Sequence, residues 1–507
     1  MPRPAGVAGV VAALSVTSDL VRGHPPGEAM RACLVATELS RRAGESASAQ
    51  AEVYYTTLLR FAGCAATSHE AAAHFGGDDV AVRARGDLTD TARPAEALRF
   101  LAGLGSGVER LRVLARVPMV PGLVADAARA DCEVGASLTT VLGLPPAVTT
   151  SVLCAFERYD GKGAPQGRAG EDLPAPARFA AVGYAAVMFE AVGGFDLAVD
   201  TLTRWSGRAL DPAITGACLA APGELLALSD PEDLWSAVVA AEPGTGRQFR
   251  DDGHLDDVLA GFGDAADLKA PFFQGHARGV ARLARAAAGS FEGVDPATMY
   301  RAGLLHDLGR VAVPTGVWER PGPLRHEERD LVRLHPLHSG RILARSPVLE
   351  PLSAIVSRHH ERLDGSGYPM GVRALDLDAP SRLLAAADVW QTLGEHRPHR
   401  PAHAQADAAR IISAMPLDRD AVRAVLDAAE APRPSFPRLP VDLTDRELEV
   451  LRLLASGLTK KQIAERLFIS PSTVHTHTVH IYEKCEVSTR AGLAMFAMRH
   501  GLAAAPR

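Results

Sequence analysis

The stretch FERYDGKGAPQG, residues 156–167, returns as HERLDGSGYPMG, residues 360–371, and this pair decides the fold. Downstream, PARFAAVGY (176–184) matches PSRLLAAADV (380–389) at the same offset of 204 residues. Upstream, LLRFAG (58–63) matches LLHDLG (304–309). Motifs recurring together in this way mean one module used twice. Between them Ala, Leu, Val and Arg recur at three- and four-residue spacing, as in GVARLARAAAG (279–289), while alternating β-branched runs are scarce. The module is therefore helical. The chain is expected to be all-α: two tandem helical bundles followed by a small helical domain.

Two Pro- and Gly-rich stretches mark boundaries, AEPGTGRQFRDDGH (241–254) and APRPSFPRLP (431–440). The expected organisation is a first copy over 1–225, a connecting segment over 226–271, a second copy over 272–430, a Pro-rich linker over 431–441 and a last domain over 442–507. A length of 507 residues suits about three domains. With 47% hydrophobic and 22% charged residues and a net charge of −6, the chain is neither mainly disordered nor fibrous. Its six Cys form no CxxC pair, which argues against a zinc knuckle or a disulfide framework and fits reduced thiols in a cytoplasm. The apolar run 7–14 is too short to span a bilayer and is expected to be a buried helix, so no membrane partner is expected.

In the second copy, His276, the pair His306-Asp307, His335, the pair His359-His360 and Asp388 recur at intervals of one helix plus a turn. Successive antiparallel helices can aim such groups at one centre, as bundles do when they build metal sites. Imidazole with carboxylate suits Fe, Mn, Ni or Zn, and one Asp can bridge two ions through its two oxygens. Two divalent transition metals there could clamp a phosphodiester. Any one of these His residues alone would be an ordinary helix or loop residue, as His326, His338, His396, His399 and His403 are taken to be. The repeat acts as a control, because the first copy has Glu28, Arg60-Phe61, Ala155-Phe156 and Tyr184 at the aligned places.

The segments LLHDLGRVAVP, HHERLDGSGYP and ADVW with RPHR resemble the HD-GYP family of HD phosphohydrolases over about 272–430, and more weakly over about 12–225. The resemblance implies a metal-dependent cyclic di-GMP phosphodiesterase. It implies that His276, His306, Asp307, His335, His359, His360 and Asp388 ligate two metals, with Asp307 bridging. It implies that Gly367, Tyr368 and Pro369 shape the substrate pocket and that Arg397 and Arg400 contact the substrate. The Lys usual three residues after the HD Asp is Arg310 here, a catalytic cation of different shape. Phe272 and Gln391 stand where some members carry further metal ligands, so two metals are expected and not three.

From Leu443 onward, Thr444 with Glu447 forms a capping box, Lys460 to Leu467 a short helix, and Pro471 suits the first turn of a third helix. Val474, Thr478, Ile481 and Cys485 share that helix's inner face, and Thr473, His475, Thr476 and His480 its outer one. This is a helix-turn-helix, and the segment resembles the LuxR-type DNA-binding domain. The implied partner is double-stranded DNA, bound as a homodimer. Lys460, Lys461 and Lys484 would meet phosphates, and the outward His and Thr would meet bases. The functional expectation is a transcription regulator carrying an HD-GYP-type phosphohydrolase module that turns over a cyclic dinucleotide or another phosphoester. The alternatives are an inactive nucleotide or metal sensor, and a phosphodiesterase whose last domain serves only localisation or dimerisation.

Overall fold

The computed structural model describes residues 6–104, 113, 119–430 and 441–502, and among these every regular element is a helix. The expected Pro-rich linker, apart from Val441, lies outside the described residues. The chain divides into two compact units, Met1–Leu255 and Asp256–Arg507.

The first unit is built on the Val7–Val21 helix, almost entirely buried as its uninterrupted apolar run requires. Glu28–Arg42, Ala47–Leu59 and Ala175–Trp205 pack together. Gly183 permits this: a Cβ there would lie 2.8 Å from Ala32 O. By length and composition Ala175–Trp205 could cross a membrane, but its backbone leaves the helical region at Gly193 and Gly194. Its first half buries Phe179, Val182 and Ala186 against Val35, Leu39 and Val53.

Segment 226–271 is not a connector. Trp235 donates its indole N–H to Gly9 O at 2.9 Å and Tyr54 its hydroxyl to Val238 O at 3.0 Å, so this part closes the first unit. Arg247 N donates to Glu242 Oε1, and Val7 N to Arg247 O. The Gly and Pro of 241–254 thus form a hydrogen-bonded turn of that unit. Beyond the boundary, Gly263 lets the Asp252–Asp267 helix approach the second unit's backbone, with a Cβ placed 2.4 Å from Leu304 O.

The repeat is exact enough to read at single groups. Gly309 lies so close to the next ligand helix that a Cβ would sit 2.1 Å from His335 O, and Gly63 stands likewise 2.0 Å from Asp131 O. In the second copy Glu361 accepts from Met370 N and Val372 N, and in the first Glu157 accepts from Gln166 N and Gly167 N. Gly367 and Gly163 each approach the backbone of the fifth residue before them, where a Cβ would lie 2.4 Å from Arg362 N and from Arg158 N. The last four helices are Asp445–Ala455, Lys460–Leu467, Pro471–Lys484 and Arg490–Arg499, gathered around Val450, Leu454, Ile463, Val474, Ile481 and Leu493.

Candidate metal centre

All seven expected ligands converge. His276, His306, Asp307 and Asp388 present donor atoms within 4.8 Å of one another, and so do His335, His359 and His360. Asp307 joins the groups. Its Oδ2 lies 2.7 Å from His306 Nε2 and 3.3 Å from His276 Nε2, while its Oδ1 lies 3.1 Å from His335 Nε2 and 3.6 Å from His359 Nε2. Asp388 spans them more loosely, Oδ1 at 3.2 Å from His276 Nε2 and Oδ2 at 3.7 Å from His360 Nδ1.

The helices fix which nitrogen each imidazole offers. His306, His335 and His359 each sit at the end of a turn and meet the carbonyl three residues earlier, Gly303, Val332 and Val356, through Nδ1 at 2.6–2.8 Å. Nδ1 must then donate, which leaves the Nε2 lone pair facing inward. His276 opens its helix after Gly275, whose φ of +82° suits glycine, and its Nδ1 meets Glu395 at 2.9 Å. Glu395 also accepts from Gln391 and Arg397. This orienting carboxylate was not among the expected residues; it lies two residues past the end of the Ala379–Leu393 helix that carries Asp388 and Gln391.

The residues suit a cation. His306 Nε2 and both Asp307 oxygens are buried without a hydrogen bond, a state that is costly unless a positive centre completes it. Arg310 Nη2 is at ion-pair distance from Asp307 Oδ2, 2.5 Å, but its direction makes no hydrogen bond. Burial alone would raise the carboxyl of Asp307, yet Arg310 and His306 hold it well below the usual range. Burial likewise opposes charge on His306, but Asp307 and Asp388 raise it to about 9, whereas burial dominates at His335 and lowers it to about 4.

The expected substrate contacts fare unequally. Tyr368 stacks on His360, centroids 4.7 Å apart, beside Gly367 and Pro369. Arg397 is buried and donates to Glu395 and Phe272 O, so it braces the carboxylate that holds His276. Arg400 donates to the carbonyls of Leu393, Thr392, Glu395 and Pro401. Both guanidinium groups are engaged with the protein itself.

On the helix-turn-helix, Thr473, His475, Thr476 and His480 are exposed and Val474, Thr478, Ile481 and Cys485 buried. Lys461 is exposed with no ion pair among the described residues. Lys460 Nζ lies 2.8 Å from His475 Nδ1, and Lys484 pairs with Glu447 at 2.7 Å, so Lys484 anchors the capping box instead of standing free for phosphate.

Residues 262–420 match the model of the HD domain family, and residues 441–497 that of the bacterial regulatory proteins of the luxR family. The chain joins an HD domain to a luxR-family helix-turn-helix domain. It is 25% identical over 416 residues to a 3′3′-cGAMP-specific phosphodiesterase of Vibrio cholerae, covering 80% of this chain and 87% of that one. That alignment is longer than the second unit and so runs into the first. A cyclic di-GMP phosphodiesterase of Pseudomonas aeruginosa is 38% identical over 110 residues, 22% of this chain and 27% of its own. The crystal structure of a cyclic GMP-AMP-specific phosphodiesterase of V. cholerae shares the fold, with a TM-score of 0.59 over 85% of this chain and 99% of that one at 21% identity.

Where the HD domain has its centre, the first unit has a guanidinium. Arg22 lies 3.8 Å over the Phe61 ring and pairs with Glu28 at 3.2 Å and Asp87 at 2.8 Å, and His24 bridges the same two carboxylates. Phe156 and Tyr184 close on Phe61. Asp131, which the Gly63 contact aligns with His335, is taken by Arg83 and Thr67. Sequence spacing had not paired Asp131 with a ligand, because the two copies differ in length before it.

Proposed function

We propose that the chain is a DNA-binding transcription regulator whose HD domain is a two-metal phosphodiesterase acting on a cyclic dinucleotide. The observation that carries this is the division of Asp307, one oxygen toward each imidazole set. His276, His306, Asp307 and Asp388 would hold one divalent ion, and His335, His359 and His360 with Asp307 the other, each Fe, Mn, Ni or Zn. Bound there, the ions supply Lewis acidity toward a phosphoryl oxygen and the means to activate water. The chain's own residues do the rest. Carbonyl-locked Nδ1 atoms keep the Nε2 of His306, His335 and His359 aimed, Glu395 does the same for His276, and two carboxylates offset the ionic charge. Arg310, packed 4.4 Å over Phe273, offers a cation to the scissile phosphate, and Tyr368 shapes the mouth. The luxR-type domain binds double-stranded DNA as a homodimer.

The test measures bound metal and hydrolysis of 3′3′-cGAMP, cyclic di-GMP and a generic phosphodiester. Asp307→Ala is expected to lose metal and turnover together. Arg310→Ala keeps its metal and loses roughly a hundredfold in rate, since one such contact to developing charge is worth about 3 kcal/mol. A second reading, a sensor without turnover, is favoured by the Arg310–Asp307 ion pair, which engages the cation with a ligand. Metal-loaded wild type that hydrolyses none of these substrates, while nucleotide still shifts DNA affinity, would establish the sensor.

A further inference from the structure

The HD centre is sealed on most sides, and its one exposed ligand shows where substrate arrives. Side-chain exposure is 0% at His276, His306 and His359 and 2–3% at His335, Asp307 and Asp388, but 15% at His360. His360 is the ligand on which Tyr368 stacks, and the guanidinium of Arg333 stands 5.8 Å from the centroid of that ring. Arg333 ends the His326–Arg333 helix, two residues before His335, and is exposed. It makes no ion pair among the described residues. The two arginines that the sequence offered for substrate, Arg397 and Arg400, are bound to Glu395 and to backbone carbonyls. Arg362, two residues after His360, donates to the carbonyls of His359 and Glu361, whereas Arg333 stands exposed over the Tyr368 ring at the open side of the centre.

We infer that Arg333 is a positioning residue that grips the phosphate of a cyclic dinucleotide that is not being cleaved. This rests on the phosphodiesterase reading above. A cyclic dinucleotide held at the ions by one phosphodiester carries its second phosphate outward, past Tyr368. A guanidinium meets that anion with two parallel N–H donors, and an aromatic ring beneath holds the guanidinium plane while leaving its donors free. Arg333 acts on binding and on choice of substrate, not on the bond that breaks.

The experiment compares wild type, Arg333→Ala and Arg333→Lys in the full metal-loaded chain. It uses 3′3′-cGAMP, with two phosphates, and bis(p-nitrophenyl) phosphate, with one. Expected for Arg333→Ala is a KM for the dinucleotide raised about tenfold or more, the worth of a charge-assisted contact, with kcat within about twofold. Turnover of the one-phosphate substrate and metal content stay unchanged, and Arg333→Lys recovers part of the loss. Equal losses on both substrates, or an unmoved KM for the dinucleotide, overturn the inference. If wild type cleaves neither substrate, the phosphodiesterase reading fails by itself. The dissociation constant of 3′3′-cGAMP then decides, and one that is identical in wild type and Arg333→Ala, or absent in both, rejects Arg333 as a nucleotide contact.

Discussion

Glu395 shows how far a residue can matter without offering an atom to the centre. Its carboxylate holds His276 through Nδ1, and removal of such an outer partner costs about 10- to 100-fold in metal affinity. Glu395→Gln is therefore expected to purify with the His276 side depleted and to regain activity when metal is added in excess, whereas Asp307→Ala does not. Metal titrations of the two variants check this. In the first unit the comparable weight falls on Arg22. Arg22→Met leaves Glu28 and Asp87 with His24 as their one remaining cation among the described residues and should destabilise that unit by about 3 kcal/mol, read as an early unfolding transition, with bound metal unchanged. His24 adds a pH dependence. Burial disfavours its charge, but hydrogen bonds to Asp87 and Glu28 raise its pKa to about 9. A raised folded value means that the stabilisation is fully present below the unfolded pKa of about 6.5 and fades as pH rises through 9. The gap in stability between wild type and His24→Gln should shrink between pH 6 and pH 9.5. The clustering of the seven His and Asp side chains was legible because Asp and His side by side at helical intervals are rare in combination. Glu395 and Arg333 were not, because a lone charge has the same appearance in a sequence whether it faces solvent or a partner.

Three of the four helices of the luxR-type domain were legible because their ends are written in side chains, while Arg490–Arg499 was not read. Thr444 and Glu447 cap one helix reciprocally, Thr459 and Gln462 the next, and Ser470 accepts from Thr473 N at the third. The connecting role expected for 226–271 was misread for the converse reason: the Gly and Pro of 241–254 mark a turn just before the division at Leu255 and Asp256 without saying that hydrogen bonds tie that turn into the first unit. The roles of the lysines also depended on partners that spacing does not reveal. Lys484 should behave as part of the fold. Lys484→Met is expected to lower the domain's melting point and to leave the salt dependence of DNA binding nearly as it was, while Lys461→Ala flattens that slope by about one counterion. A slope that changes equally in both would contradict this division. Glu447 supplies the pH signature. Burial would raise its carboxyl, but the hydrogen bonds from Lys484 and Thr444 lower it to about 2. Its stabilisation is thus present above the unfolded value of about 4.3 and is lost as pH falls through about 2. Acid unfolding of Glu447→Gln should lack that component, at a cost near 1 kcal/mol at neutral pH.

At the scale of the whole molecule, the duplicated module was readable from its repeated loops, but the fate of the first copy was not, since only the placed Arg22 shows how its centre was filled. The structure also joins the HD and luxR-type domains at a specific point within the second unit. Gly275 N–H donates to Met498 Sδ at 3.2 Å, and Gly457 lies against Pro271, where a Cβ would meet the ring at 2.8 Å. Gly275 is the residue before His276, so the last helix of the luxR-type domain rests on the backbone that presents a candidate metal ligand. The recognition helix stays exposed in this arrangement. A backbone shift of His276 on metal binding would pass through Gly275 and change the contact with Met498. Linkage makes the effect reciprocal: the factor by which metal changes DNA affinity is the factor by which DNA changes metal affinity, commonly about 5- to 150-fold for coupled sites. Titration of full-length protein with DNA, with metal and after its removal by a chelator, should show a factor of this size, and titration with metal, with and without DNA, the same factor. In Met498→Ala both factors should fall toward one while DNA affinity and metal affinity each persist. Equal DNA affinity in loaded and stripped wild type would show that the two domains share a chain without sharing a state.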